Sequence, residues 1–308
     1  MKRKLLKSKK AEGAIRDTFK DKIFVVMCYI VVILLVIATF YPFWDTLVLS
    51  ISPREEALQP GFRFFPSAPT LEAYRSVLGS HEIIRGFFNA LVRVVVGTFV
   101  SILVVTLAGY PLSKREMPFS RPITLFFLFT MYFNGGLIPT YLLIVNLGLI
   151  NSIWSLILPG AASAFNLIIM RSFIETLPTS LEESATIDGA NFFQIWWKII
   201  LPLSKPVIAT VILWLAVAHW NAWFDAMIYM HERARFTLPV VLRRILIENQ
   251  LEQLMPGHDF GVDIHRPPPT PETIQGAVIM VSTIPIVLVY PFLQKYFTKG
   301  VMLGAVKG

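Results

Sequence analysis

The segment LEESATIDGANFFQIWWKIILP, residues 181–202, interrupts a chain that is otherwise mostly apolar. Three acidic residues and a glycine lie within positions 182–189, and a further glutamate precedes them at position 175. Charged side chains at this density are costly in a lipid bilayer and are rarely buried in a soluble core. The segment is therefore predicted to leave the apolar body of the protein and to face water.

Local signals in this segment predict two short helices joined by a turn. Ser180, with Glu183 three residues later, has the spacing of a capping box, and Gly189 suits the end of a helix. The apolar residues 190–200 predict a second helical segment, which Pro202 breaks or bends. An exposed helix with acidic side chains suits docking into a groove on another protein, and a solvated connector is the alternative.

The composition is typical of a membrane protein. Of the 308 residues, 55% are hydrophobic and 16% are charged, whereas about a quarter of the residues in soluble domains are charged. The net charge of +8 could suggest nucleic acid binding, but the distribution of the basic residues along the chain favours a membrane topology instead. The single cysteine, Cys28, allows neither an internal disulfide bond nor a zinc site built from thiolates.

Six long apolar stretches predict six transmembrane helices. They cover residues 23–43, 89–112, 122–145, 153–173, 206–230 and 273–297. The first would form about 31 Å of helix, which is enough to cross a hydrocarbon core of about 30 Å and favours an uncleaved anchor over a signal peptide. The third is interrupted by Asn134, Gly135, Gly136 and Pro139, and the fifth by polar and aromatic residues between positions 219 and 225.

The basic residues predict the orientation of these spans. Of the 28 Lys and Arg residues, 18 fall on the side of the two termini, including every lysine, and nine fall in the opposite loops. By the positive-inside rule, both termini and the loop 174–205 face the cytoplasm. Arg93, near the start of the second span, is expected to snorkel outward.

The sequence contains no nucleotide-binding or metal-binding motif. It has no G-x-x-x-x-G-K-[ST] loop, no H-E-x-x-H pair and no paired Cys/His array, and its five histidines are scattered. The adjacent Glu182 and Glu183 would point about 100° apart on a helix, which does not make an acid–base pair. We therefore expect a chain that is not an enzyme and that binds no cofactor or metal of its own.

The spacing within residues 183–202 resembles the EAA motif of ABC importer permeases, in which a glutamate and two small residues are followed at fixed intervals by glycine and by Ile-x-Leu-Pro. Only Ser184 departs from the usual alanine. The resemblance implies that this loop couples the membrane domain to a cytoplasmic ATPase. The implied coupling residues are Glu182, Glu183, Ala185, Asp188, Gly189, Ala190, Ile199, Leu201 and Pro202.

Other segments resemble the carbohydrate-uptake branch of these permeases, especially the maltose-permease-like subunits associated with polysaccharide and oligosaccharide import. They are FNGGLIPTYLLIVNLGLINSIWSLILPG, NLIIMRSF, WNAWFDAMIYM and the terminal KYFTKGVMLGAVKG. The resemblance implies an all-α polytopic protein of the cell membrane with the type I importer fold, a five-helix core preceded by one N-terminal helix. It also implies a second permease subunit, a cytoplasmic ATPase dimer that uses ATP and Mg, an extracytoplasmic solute-binding protein and a carbohydrate substrate.

These expectations divide the chain into consecutive segments. They are a basic cytoplasmic tail (1–22), the first transmembrane helix (23–43), an extracytoplasmic loop (44–87), the permease core (88–297) and a cytoplasmic tail (298–308). Within the core lie the cytoplasmic coupling loop 174–205 and the extracytoplasmic loop 231–272.

Polar residues within the spans mark a candidate substrate pathway, because they usually face the interior of a helix bundle. Aromatic side chains beside amides or carboxylates suit the apolar faces and hydroxyl edges of sugars. The candidates are Asn134, Asn166, Trp220, Asn221, Trp223 and Asp225, and Trp220 and Trp223 are predicted to share one helical face. A role in helix packing or at the membrane interface is the alternative for these residues.

Two other functions stay open from the residues alone. One is an ABC importer permease for a non-sugar solute such as an amino acid, a peptide or an anion. An anion pathway would favour arginines within the spans, and only Arg93 is available. The other is a membrane receptor or scaffold that transports nothing.

Overall fold

The computed structural model describes residues 19–59, 61–114, 116–254 and 270–305, and these residues form helices, turns and loops without strands. The α-helices are α1 (Phe19–Ser50), α2 (Arg54–Ala57), α3 (Glu72–Gly79), α4 (His81–Leu112), α5 (Ser120–Tyr132), α6 (Leu137–Asn146), α7 (Trp154–Ala161), α8 (Ala164–Ile174), α9 (Ser180–Ile187), α10 (Phe192–Ile195), α11 (Leu201–Leu203), α12 (Lys205–Asn221), α13 (Phe224–Tyr229), α14 (Leu238–Leu254) and α15 (Pro271–Ala305). Most of the predicted tail 1–22 and residues 306–308 lie outside the described residues.

Two of the described helices, α1 and α4, are individually long and apolar enough to cross a membrane. Each has 32 residues and is therefore about 48 Å long. In the most apolar stretch of α1, no residue is buried within the chain. In the corresponding stretch of α4, 39% of the residues are buried. In the membrane the apolar stretch of α1 is thus left open to lipid, whereas its C-terminal part packs against α15 and α4 belongs to the packed core.

Three bent pairs of helices are long and apolar enough to form further spans. α5 and α6 meet at 115°, α7 and α8 at 48°, and the segment Phe192–Leu203 meets α12 at 80°. The break between α5 and α6 falls at residues 133–136, where the Asn-Gly-Gly sequence predicts an interruption. If each pair counts as one span, the described helices provide up to five, and the 35-residue α15 covers the predicted sixth.

The helix α4 is the centre of the packing, since α7, α8, α12 and α14 all lie against it. Its C-terminal end belongs to a buried apolar group that we call the inner cluster. The members are Val105, Tyr110, Met170, Ile174, Ile195, Trp196, Ile200, Val207, Val211 and Leu215. This cluster joins α4, α8 and α12 to residues 195–200 of the predicted coupling loop.

The two predicted extracytoplasmic loops fold partly onto this core. In the first, α3 packs against α15 and buries Ala73 and Val77. In the second, α14 packs along the N-terminal half of α4 and buries Leu238 and Val241. Residues 255–269, the remainder of this second loop, lie outside the described residues.

Candidate coupling loop and permeation cleft

The helix α9 begins without the predicted capping box. Thr179, which precedes it, already has helical dihedral angles (φ −60°, ψ −31°), and no side chain caps the first turn. The prediction at Ser180 is wrong because a capping residue needs an extended backbone, whereas Ser180 is itself the first helical residue. A capping box does form at the start of α10, where Asn191 and Gln194 exchange two hydrogen bonds of 2.9 Å.

The backbone at the end of α9 favours glycine. Gly189 has φ +81°, in the left-handed region that side chains disfavour. Its N–H donates to the Thr186 carbonyl at 3.0 Å, and the Ala190 N–H donates to the Ala185 carbonyl at 2.9 Å. This pair of bonds is a Schellman motif, which satisfies the last carbonyls of the helix and turns the chain toward α10.

The second helical segment is continuous from α10 through a π-helical turn, Trp196–Ile200, to α11. The Trp196 and Ile200 side chains are buried in the inner cluster. The chain then bends by 80° at Ser204, two residues after Pro202, before α12 begins. The helix–turn–helix arrangement predicted for residues 180–202 is thus present.

The outward surface of the loop combines carboxylates with apolar side chains. Glu183 and Asp188 are exposed, and the Ile187 side chain between them is 87% exposed. Phe192 and Phe193 are exposed just beyond the turn. Large apolar side chains exposed beside charged groups are typical of interaction surfaces.

The remaining predicted coupling residues have other positions. Ala185, Ala190, Ile199 and Leu201 are partly buried against the inner cluster, and Pro202 is exposed. These small and apolar residues therefore fix the loop to the core.

Glu182 faces the protein interior and not the solvent. Its carboxylate accepts a hydrogen bond of 3.0 Å from the Tyr110 hydroxyl and forms a salt bridge with Lys114. The side chain is only 15% exposed. The expectation that the acidic residues of this helix all face the cytoplasm is thus wrong for Glu182, because the start of α9 lies against the end of α4.

Arg93 is buried, with 3% exposure. The expectation that its side chain snorkels outward is therefore wrong. Its guanidinium donates to an Asp225 carboxylate oxygen at 3.0 Å and to the Ala222 carbonyl at 3.1 Å. A longer bond of 3.5 Å reaches the Leu156 carbonyl. Arg93 stays inside because these oxygens, at the gap between α12 and α13 and on α7, satisfy its charge in place of water. Asp225, a predicted pathway residue, is thereby committed to an ion pair.

Trp220 and Trp223 do not share a helical face. α12 ends at Asn221 and the backbone of Ala222 is extended, so Trp223 lies beyond the helix end. Trp220 is buried in the core, where its indole N–H donates to the Ser282 carbonyl at 3.2 Å. The Arg243 guanidinium carbon lies 3.8 Å from the centre of the Trp223 ring, so the two side chains stack. The Asn221 side chain is exposed.

Asn166 lines an open cleft of about 510 Å³ between α7, α8 and α12. The lining residues are Pro159, Gly160, Ser163, Phe165, Asn166, Trp214, Leu215, Ala218 and His219. Of the six predicted pathway residues, Asn166 alone lies in this lining. Asn134 lies elsewhere, exposed at the break between α5 and α6, where its side-chain oxygen accepts from the Gly136 N–H at 2.9 Å.

The aromatic and imidazole groups of this cleft are not among the predicted pathway residues. The Phe165 and Trp214 rings lie 5.8 Å apart between centroids. The buried positions Val211, Leu215 and His219 follow a four-residue period on α12. A histidine at that period, on an apolar helical stripe, is the signal that could have indicated the cleft.

His219 lies at a close approach between α12 and α4. Its Nε2 is buried with no hydrogen-bond partner in the part of the chain that the structure describes. A Cβ atom at Gly97 would lie 2.6 Å from this nitrogen, so a side chain there would force the His219 ring to move. Among the described residues, no group of three or more His, Cys, Asp and Glu side chains is placed to hold a metal ion.

The helical core, its bent spans and the exposed helix–turn–helix loop together define a membrane transport subunit. Residues 83–228 match the family described as "Binding-protein-dependent transport system inner membrane component". The chain belongs to this family and is a permease subunit of an ABC importer. The predicted type I importer fold is confirmed.

Individual relatives cover nearly the whole chain. The polygalacturonan/rhamnogalacturonan transport system permease protein YtcP of Bacillus subtilis is 40% identical over 289 residues, which are 94% of this chain and 100% of YtcP. Protein LplC of the same organism is 41% identical over 88% of this chain and 90% of its own length. A solved bacterial ABC transporter involved in the import of the acidic polysaccharide alginate contains a chain with a TM-score of 0.84 and 32% identity, covering 91% of this chain and 98% of that one.

Proposed function

We propose that this chain is one of two permease subunits that together form the pathway for an oligosaccharide. The names of its relatives support this substrate class, since they include permeases for polygalacturonan/rhamnogalacturonan and for arabinooligosaccharides. The chemistry of the cleft is compatible with it, because Phe165 and Trp214 offer aromatic surfaces beside the Asn166 amide. No arrangement of the described residues favours a non-sugar solute or a receptor.

The coupling step is assigned to the surface of α9 and the turn that follows it. The observation that carries this assignment is the opposite orientation of two adjacent carboxylates. Glu182 is held against Tyr110, which fixes the helix, and Glu183 is exposed beside Ile187. A fixed helix with an exposed mixed surface suits docking into a groove of an ATPase subunit.

The complex has a defined set of partners in this proposal. A dimer of ATPase subunits binds α9 on the cytoplasmic side and hydrolyses ATP with Mg. An extracytoplasmic solute-binding protein delivers the oligosaccharide at the opposite face. Both termini of the chain are cytoplasmic, as its basic residues indicate.

Uptake into vesicles that contain the complete complex tests the function. We expect ATP-dependent accumulation of a labelled oligosaccharide, and Glu183→Lys should abolish the accumulation while the membrane subunits still assemble. The matched control is Glu175→Lys, which reverses an exposed carboxylate of the same loop outside α9. Full uptake by Glu183→Lys would exclude the coupling role, and absence of uptake by the unaltered complex would favour a different solute or a scaffold.

Labelling of single cysteines tests the orientation. In a Cys28→Ala background, Ser184→Cys on α9 and Ser76→Cys on α3 both place a thiol at an exposed position. A membrane-impermeant maleimide added to intact cells should label the cysteine at position 76 and leave the one at position 184 unlabelled. The reverse pattern would invert the topology and remove α9 from the ATPase side.

A further inference from the structure

A short loop after α2 exposes three phenylalanines. Phe62, Phe64 and Phe65 are exposed, and we call residues 61–65 the aromatic loop. Arg63, in its middle, turns inward and is only 15% exposed. Its guanidinium donates to the Ala57 carbonyl at 3.1 Å. The charged side chain is thus withdrawn and the rings are presented outward, which is the reverse of the usual arrangement at a water-facing surface.

The aromatic loop is held in this shape at its base. The Glu56 carboxylate accepts hydrogen bonds from the Ser67 N–H at 2.9 Å and from the Ser67 hydroxyl at 2.7 Å. This bridge joins the two ends of the segment that carries the phenylalanines. The exposed rings therefore belong to a closed, internally bonded loop.

The aromatic loop packs against the C-terminal part of α1. The Trp44 indole N–H donates to the Phe64 carbonyl at 2.9 Å. The Tyr41 and Phe62 rings lie 5.5 Å apart between centroids, and the Trp44 and Phe65 rings lie 6.0 Å apart. The exposed phenylalanines consequently continue the exposed apolar surface of α1.

The position of this contact along α1 corresponds to a membrane boundary. Lys20 and Lys22 mark the inner end of the apolar run. A hydrocarbon core of about 30 Å spans about 20 residues at 1.5 Å per residue, so the run that begins at position 23 reaches the outer boundary near position 42. Tyr41 and Trp44 lie at this level, where aromatic residues with a polar group concentrate.

We propose that the aromatic loop is an interfacial lipid anchor, with Phe62, Phe64 and Phe65 inserted between the headgroups and acyl chains of the outer leaflet. Three observations point to lipid as the occupant. The loop continues the lipid-facing surface of α1, it lies at the level of the outer boundary, and its one charged side chain is turned away from the exposed surface. Apolar groups at such a boundary enter the leaflet by about 5–10 Å.

Spin labels on single cysteines test this insertion. In a Cys28→Ala background, Phe62→Cys, Phe64→Cys and Phe65→Cys are labelled in the full-length chain, in the complex with which it copurifies, in vesicles of phosphatidylethanolamine and phosphatidylglycerol. Leu34→Cys, at an exposed position in the middle of α1, is the reference for lipid, and Ser76→Cys on α3 is the reference for water. The ratio of accessibility to oxygen over a water-soluble nickel chelate is measured at each site.

Insertion predicts that the ratio at all three loop sites is above that at Ser76→Cys and below that at Leu34→Cys. A ratio equal to that at Ser76→Cys would place the loop in water and overturn the proposal. Low accessibility to both reagents would mean that another protein covers the loop, which also overturns it.

A crosslinking measurement keeps the aromatic ring in place if the cysteine variants disturb the loop. Benzoylphenylalanine at position 65 should crosslink to phospholipid on illumination. Crosslinking to a copurifying protein instead would overturn the proposal.

Discussion

The Tyr110 hydroxyl donates a hydrogen bond of 3.0 Å to the Glu182 carboxylate, and it thereby joins the C-terminal end of α4 to the first turn of α9. Lys114 pairs with the same carboxylate and lies 5.0 Å from the centre of the Tyr110 ring. Glu183, the next residue, is exposed. Adjacent carboxylates thus have different surroundings, one bonded within the chain and one at its surface.

Replacing Glu182 should loosen α9. In Glu182→Gln the salt bridge to Lys114 is lost, and a hydrogen bond to a charged group contributes about 1.5–3 kcal/mol. We expect faster amide hydrogen exchange in residues 182–188, measured by mass spectrometry on the purified complex. Glu183→Gln is the matched control and should leave this exchange unchanged. Equal exchange in both variants would mean that Glu182 does not fix the helix.

The Arg93–Asp225 pair should respond asymmetrically to mutation. Arg93 is 3% exposed and Asp225 is 32% exposed, so water can reach the carboxylate more easily than the guanidinium. Asp225→Ala leaves a buried charge and should cost about 3–5 kcal/mol, while Arg93→Met should cost less. Thermal unfolding of the detergent-solubilised complex measures both. A larger loss for Arg93→Met would show that packing of its side chain outweighs the stranded charge.

A methyl group at Gly97 should destabilise the contact between α4 and α12. The added Cβ would lie 2.6 Å from His219 Nε2, and overpacking of this kind costs about 1–3 kcal/mol. Gly160→Ala is the control, because a Cβ there meets nothing within 4 Å. We expect a lower melting temperature for Gly97→Ala alone, with part of the loss recovered in Gly97→Ala/His219→Ala. No recovery in the double variant would place the strain elsewhere.

Substitutions at position 189, in the turn after α9, should reduce coupled uptake to different extents. At φ +81°, alanine pays about 1–2 kcal/mol for the left-handed conformation, whereas asparagine tolerates it. Gly189→Ala should therefore reduce coupled uptake more than Gly189→Asn, although asparagine is the larger side chain. The ratio of oligosaccharide transported to ATP hydrolysed measures this coupling. Equal ratios in the two variants would exclude backbone conformation as the cause.

The aromatic loop should loosen in acid. Hydrogen bonds from the Ser67 N–H and hydroxyl lower the pKa of Glu56, with a smaller contribution from Arg63. A lowered folded-state pKa means that the stabilisation is fully present at neutral pH and is lost as the pH falls through that pKa. A spin label at Phe64→Cys should become more mobile at low pH. In Glu56→Gln the label should be mobile at every pH, and a pH response retained there would assign the effect to another group.

Much of the coupling loop could be predicted because its signals are local. The spacing from Glu183 to Pro202, the glycine at the helix end and the predominantly apolar second segment all lie within a few helical turns of one another. The capping box lies at Asn191 and not at the predicted Ser180 for an equally local reason. Ser180 and Asn191 both have a Glu or Gln three residues later, and the spacing alone does not say which backbone is extended.

The contacts that hold Asp225 and Glu182 in place could not be predicted because they join distant positions. Arg93 and Asp225 are 132 residues apart, and Tyr110 and Glu182 are 72 residues apart. The choice between Glu182 and Glu183 as the inward residue depends on how α9 is rotated against α4. Likewise, the face shared by Trp220 and Trp223 follows only if the helix continues past Asn221, and an extended Ala222 ends it.

Tyr110 and Arg93 lie on the same helix, about 25 Å apart at 1.5 Å per residue. Near the C-terminal end of this helix, Tyr110 is bonded to Glu182 of α9. Near its middle, Arg93 is bonded to the Ala222 carbonyl, in the gap between α12 and α13. If α4 pivots at Tyr110, a tilt of about 10° moves Arg93 by about 4 Å. The helix then acts as a lever, so that a tilt of α4 at its contact with α9 displaces its attachment to the break in the fifth predicted span.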